Sequence, residues 1–191
     1  MNFQFRWFNA FWYFALYGLI SYLIMRFFPP KKRKKILFAV SAKKTKDQVF
    51  IMISRILKIT AMFFSLFIPI QSYNIVFCFG NALYLAGLIF SSVALYQFAR
   101  ADAEQLVSDG LYQFTRHPMQ VFFYIMCFGI LLIAQSTILT LLVLGYMFTF
   151  YPAFALQESF CRKKFGNAYI EYQRKTPRFL FVNAPIERRR K

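Results

Sequence analysis

The sequence predicts an all-α, polytopic membrane bundle of about five transmembrane helices, and three observations carry that reading. Hydrophobic residues make up 59% of the chain and aromatics 21%, while only 16% are charged; a soluble domain is nearer half apolar and about a quarter charged. The apolar residues fall into five runs, four of them close to the roughly 20 residues that a membrane-crossing helix needs. The net charge of +17 is unevenly distributed, collecting at alternate ends of those runs.

The first run covers residues 7–28 and stops at Pro29-Pro30, ahead of the basic run 31–35. The second, 49–70, carries Arg55 and Lys58 one turn apart towards its basic end, where long side chains reach for the headgroups. A polar turn leads to the third, 75–98, and the loop that follows, 99–116, holds Asp102, Glu104 and Asp109. The fourth and fifth, 118–134 and 138–156, are separated by Gln135-Ser136-Thr137 and form a hairpin. Residues 157–191 are a polar, basic tail. At 191 residues the chain is a single domain, with no internal repeat.

Of 24 Lys and Arg residues, only Arg6 precedes the first run, and all the rest fall after runs one, three or five or, like Arg55 and Lys58, towards a helix end that faces those loops. By the positive-inside rule the N-terminus is expected outside and the tail in the cytoplasm, in a bacterial inner membrane or an endoplasmic reticulum. The same pattern assigns the basic loops, and the final run 188–191, to anionic lipid headgroups rather than to nucleic acid. Cys78, Cys127 and Cys161 have no metal-ligand spacing and read as packing residues, so no metal is expected. No cleavable leader is expected, because the first run is read as a span.

Ionisable residues at the membrane are functional candidates by default. His117, the single histidine, lies between Arg116 and Pro118 where the fourth run begins, and Pro118 suits the first helical turn. Glu158 lies just past the end of the fifth run. Because the hairpin turn is short and its arms are similar in length, residues 116–118 and 157–158 return to the same depth. That spacing leaves open whether the meeting of Arg, His and Glu is an ion pair anchoring the hairpin or a reaction centre.

The stretch from Leu106-Val107 through Gly110-Leu111-Tyr112 to Arg116-His117-Pro118 resembles the corresponding loop of the isoprenylcysteine carboxyl methyltransferases and their phospholipid methyltransferase relatives. The tail is similar as well, with Glu158, Phe165-Gly166, Tyr169, Tyr172 and Thr176-Pro177-Arg178-Phe179. The resemblance covers roughly residues 106–181. It departs from the family pattern at Gln120 (Tyr), Phe122 (Gly), Gln157 (first of a Glu-Glu pair) and Leu111 (often Pro).

The resemblance implies an S-adenosylmethionine-dependent methyltransferase acting on a membrane-embedded or hydrophobic acceptor, isoprenylcysteine-carboxylate-like or lipid. By the same resemblance Arg116 and Glu158 are the expected catalytic residues, Arg116 pairing with a ligand carboxylate. Gly110, Tyr112, His117, Pro118, Gln120, Tyr169, Tyr172 and Arg178 are then the expected cofactor contacts, with the tail completing the site. Two alternatives stand beside it. One is an NADPH-dependent membrane reductase of the sterol or steroid kind, against which Pro118 counts; the other is a degenerate lipid-binding or scaffold relative, which Gln120, Phe122 and Gln157 motivate.

Overall fold

A computed structural model describes residues 9–28, 45–70, 74–102 and 104–180, with side chains from 48 onward in the second segment. The basic runs 31–35 and 188–191 lie outside the described residues. Among those described the chain is helical and contains no β-strand. Six α-helices follow one another: α1 (Phe11–Arg26), α2 (Thr45–Phe64), α3 (Ile75–Arg100), α4 (Pro118–Ala134), α5 (Thr137–Phe165) and α6 (Asn167–Lys175). The helices containing Gln48–Phe67, Ile75–Arg100 and Thr137–Phe165 are long and apolar enough to cross a membrane, and α1 and α4 are shorter apolar helices. Large apolar side chains such as Leu19, Ile59, Ile89 and Phe148 are exposed along them, an arrangement suited to lipid rather than water.

Where the second apolar run was expected to stay helical to residue 70, α2 ends at Phe64 and tightens into a 3₁₀ turn, Ser65–Phe67. Pro69 is the reason. The residue before a proline is pushed out of the helical region, and Ile68 is extended at φ −103°, ψ 101°. The freed strand-like backbone is used at once: Ala10 N–H donates to the Ile68 carbonyl at 3.0 Å, and Asn9 Nδ2 donates to the Leu66 carbonyl at 3.0 Å. The start of α1 is thereby fixed to the end of α2. Beyond the next turn, Asn74 caps α3 by accepting from Phe77 N–H at 2.9 Å.

The helices associate in two sets. α3 packs along α4 and α2 along α5, while α1 lies against α3. Glycine sets the first contact, because without side chains the two backbones can approach closely. A Cβ at Gly87 would fall 2.5 Å from Met126 N, and one at Gly129 would fall 2.5 Å from Tyr84 N. α4 and α5, although consecutive, meet mainly through large rings: Phe123 and Tyr124 face Tyr146 at centroid distances of 6.0 and 6.1 Å, and His117 faces Phe154 at 4.7 Å. The hairpin is therefore spaced by aromatics, not closed by small residues.

Gly87→Ala should push α3 from α4 and destabilise the protein by about 1–3 kcal/mol, the usual cost of overpacking. Gly18→Ala, where a Cβ meets nothing within 4 Å, should leave the melting temperature unchanged or slightly raised. Thermal unfolding of both variants in detergent checks the contrast.

Candidate functional site

The α4–α5 hairpin turns at Gln135, in the left-handed conformation (φ 45°, ψ 38°), and Ser136, whose side chain accepts from Leu139 N–H at 3.4 Å and starts α5. From that turn the two helices return side by side to the level of His117 and Glu158. His117 is the N-cap of α4, and its carbonyl accepts from Gln120 and Val121 N–H at 3.1 and 3.0 Å. Pro118 follows as the first helical residue, where a missing N–H costs nothing. The structure sets His117 Nε2 3.3 Å from Glu158 Oε1.

Glu158 is the centre of the cluster and is 1% exposed. Arg178 grips it with both arms, Nε to Oε1 at 2.8 Å and Nη2 to Oε2 at 2.7 Å, the fork-on-fork geometry of a strong charge-assisted pair. Arg116 Nη1 adds a third contact to Oε1 at 3.1 Å. Gln173 Nε2 donates to Oε2 at 3.3 Å, and Arg162 stands 3.9 Å away, one helical turn along α5. Gln173 is itself held by Arg162 Nε at 2.9 Å. One buried carboxylate thus faces three guanidinium groups, which leaves the cluster positive and attractive to an anion.

Backbone bonds seat the tail on the loop before α4. Arg116 N–H donates to the Pro177 carbonyl at 2.9 Å, Thr115 Oγ1 to the Arg178 carbonyl at 2.8 Å, and Tyr172 Oη to the Tyr112 carbonyl at 2.6 Å. Gly166, at φ 55° and ψ −129°, lets the chain leave α5 and start α6 in a direction that brings these groups together. Burial pushes the phenols of Tyr112, Tyr169 and Tyr172 above their ordinary range, so their hydroxyls remain donors. Burial also lowers the basicity of His117, an effect that its bond to Glu158 opposes and the charges of Arg116 and Arg178 reinforce. His117 is therefore neutral at pH 7, its Nε2–H donating to Glu158. The bond to Glu158 in turn raises the basicity of Arg178.

Of the residues expected at the site, Arg116, His117, Glu158 and Arg178 share one hydrogen-bonded cluster, with Pro118 buried beside them. Tyr169 and Tyr172 are buried under it, their rings 5.8 Å apart. Gly110, Tyr112 and Gln120 are placed elsewhere. Gly110, at φ 62°, lies against Gln97 of α3, whose Oε1 accepts from Leu111 N–H at 3.1 Å. Tyr112 reaches the Ala94 carbonyl at 3.4 Å. Gln120 donates to Tyr146 Oη at 2.8 Å, and Phe122 stacks on Phe90 of α3 at 5.0 Å. Arg178, expected as a cofactor contact, makes the two-armed grip on Glu158. Gln173 and Arg162 were not anticipated; Arg162 was legible as the i+4 neighbour of Glu158 on one helix face, whereas nothing in the sequence marks Gln173.

Two comparisons with known proteins fall on this part of the chain. The sequence model of the phospholipid methyltransferase family matches residues 75–168, from the first residue of α3 into α6, and so includes both Arg116-His117-Pro118 and Glu158. That segment is similar to the phospholipid methyltransferases. The chain is 30% identical over 99 residues to the protein-S-isoprenylcysteine O-methyltransferase of Schizosaccharomyces pombe, an alignment covering 51% of this chain and 41% of the relative. The chain thus spans about two fifths of the length of the curated relative that it matches. No solved structure matches it.

Glu158→Gln should cost about 3–5 kcal/mol, because it leaves Arg116 and Arg178 buried without a counter-charge. Glu104→Gln removes only the exposed pair with Lys164 at 3.2 Å and should change stability little; denaturant titration of both separates the cases. The pH response should also carry the mark of His117. A histidine whose basicity is lowered on folding binds its proton more readily when unfolded. Wild-type stability should fall as pH drops below the ordinary histidine value of 6.5, and His117→Gln should flatten that part of the profile, as melting temperatures between pH 5.5 and 8 will read.

Proposed function

We propose that this chain is a membrane methyltransferase that takes its methyl group from S-adenosylmethionine and passes it to a hydrophobic or lipidated acceptor, of which an isoprenylcysteine carboxylate or a phospholipid headgroup is the representative kind. The observation that carries the proposal is the Glu158 cluster at the meeting of loop, hairpin and tail, whose Arg116, His117 and Glu158 lie inside the segment that matches the phospholipid methyltransferase family.

The residues present fit the amino-acid end of that cofactor, which carries one ammonium and one carboxylate. Glu158 is the anion of the cluster, and it would take the ammonium by exchanging one of the donors that its two oxygens now accept from. Arg116 supplies the cation for the carboxylate, and its Nε is buried without a hydrogen-bond partner, a donor still waiting for an acceptor. The rings of Phe154 and Phe179, 5.0 Å apart and perpendicular, offer an apolar wall beside the charges. When bound, S-adenosylmethionine supplies a methyl group on a sulfonium, a leaving group that needs no acid.

What the protein contributes is position and dryness. Collinear attack depends on holding nucleophile and methyl donor in one geometry, and effective molarity provides much of the rate. Arg178 and Gln173 fix the Glu158 carboxylate by both oxygens, so it cannot rotate. The tail, bonded to Thr115 and Arg116, covers the charged cluster and keeps water from it. Neutral His117 is positioned by Glu158 and, as a donor through Nε2, contributes orientation and not a proton sink. Gln120, bonded to Tyr146, lines the hairpin on the side from which an acceptor in the bilayer would approach.

Titration calorimetry of the detergent-purified protein with S-adenosylhomocysteine, and with NADP⁺ in parallel, tests this reading. Saturable binding of the first alone is expected, weakened at least about tenfold by His117→Ala or Arg116→Met in folded protein. Binding of NADP⁺ alone would transfer the chain to the reductases, and binding of neither by folded wild type would make it a lipid-binding relative without the reaction.

A further inference from the structure

The carboxylate of Glu158 faces more donors than it can fully satisfy. Oε1 faces Arg178 Nε at 2.8 Å, Arg116 Nη1 at 3.1 Å and His117 Nε2 at 3.3 Å. Oε2 faces Arg178 Nη2 at 2.7 Å and Gln173 Nε2 at 3.3 Å. A carboxylate offers about four lone-pair positions, shared between its two oxygens. Oε1 is therefore over-supplied and Oε2 is just filled. An incoming ammonium can replace a surplus donor at Oε1 at little cost, and Oε2 is then the oxygen by which the protein keeps the carboxylate in place.

One of the donors at Oε2 belongs to an amide, and an amide can be turned either way. Gln173 has a donor and an acceptor at its tip, and only the donor suits a carboxylate. Arg162 fixes the choice. Its Nε donates to Gln173 Oε1 at 2.9 Å, and a guanidinium has no acceptor to offer. Turning the amide would set donor against donor at Arg162 and lone pair against lone pair at Glu158. Gln173 is 5% exposed, so water has little access to relieve either conflict. The level of the amide is fixed as well, since the neighbouring Tyr172 donates through its hydroxyl to the Tyr112 carbonyl at 2.6 Å. Arg162 itself comes no closer to Glu158 Oε2 than 3.9 Å, beyond hydrogen-bond reach, and its side chain is 29% exposed and open to screening. Its hold on the carboxylate runs through the amide.

We infer that Arg162, acting through Gln173, is a positioning residue that keeps the amide N–H on Glu158 Oε2, so that Oε1 is presented in a fixed orientation to the ammonium of the ligand. The inference rests on the methyltransferase reading and gives a role to two residues outside the loop and tail motifs. α5 provides the carboxylate and, one turn on, the arginine; α6 provides the amide between them. The triangle closes across Gly166, which makes the orientation of Glu158 depend on how α6 folds back on α5.

Calorimetric titration of the full-length protein with S-adenosylhomocysteine, and with its analogue lacking the amino group, tests this. Only the first carries the ammonium, so the ratio of the two affinities reads how well Glu158 is held. A site loosened in general would weaken both alike. Wild type should prefer S-adenosylhomocysteine at least about tenfold. Arg162→Met and Gln173→Met should each cut that preference at least about threefold, and the double variant should cut it no further. Arg162→Lys, which also offers only donors, should keep it. Equal affinity of wild type for the two compounds, a preference undiminished in Arg162→Met, or independent losses from the two changes overturns the inference and leaves S-adenosylhomocysteine binding, and with it the methyltransferase reading, standing. Failure of folded wild type to bind either compound overturns that reading and this inference with it. Should Arg162→Met not fold, Arg162→Gln decides in its place, because a neutral amide there no longer dictates which way Gln173 turns: a lowered preference supports the inference, and an unchanged one overturns it.

Discussion

A carboxylate buried at the meeting of three chain segments governs this structure. Glu158 is on α5, Arg116 and the neutral His117 are at the start of α4, and Arg178 is in the tail; Glu158, Arg116 and Arg178 would each be a costly buried ion without the others. Removing water from a carboxylate is tolerable only when its lone pairs are filled, and here both oxygens accept from a guanidinium. The tail's course follows from that requirement. It has to bring Arg178 back to α5, and Gly166 allows the reversal that makes this possible.

The chemical character of the site follows from the same arrangement. Excess positive charge around one fixed carboxylate suits a zwitterionic ligand better than a simple cation. Its neutral histidine and protonated tyrosines serve as donors and walls, not as proton carriers. That is a suitable environment for a reaction in which the leaving group departs without protonation and the protein's task is alignment.

Proximity of Arg116-His117 to Glu158 was legible because the hairpin is short and helical rise is constant, so equal arms must return to equal depth. The helical class was legible from apolar run length. Other features were not. Pro69 ends α2 early, a local effect that hydropathy averages away. Gly110 and Tyr112 sit in the family-like loop and fasten it to α3 through Gln97 and the Ala94 carbonyl, a packing role that a linear motif does not display. Phe122, a departure from the family pattern, stacks on Phe90, and its direction depends on the α3–α4 contact that Gly87 and Gly129 set. The contact of Lys58 with the Phe123 ring depends equally on where Phe123 lies in three dimensions.

The hairpin has a further consequence for how the protein is made. Its charged residues, from Arg116 to Pro118 at one arm and from Glu158 onward at the other, are gathered at the open end, and the closed end contains only Gln135, Ser136 and Thr137 as polar groups. Between those ends neither arm contains an ion. The pair can enter the bilayer together, with aromatics already facing one another between the arms, and the ionic cluster can then be assembled at the open end once the tail returns to it.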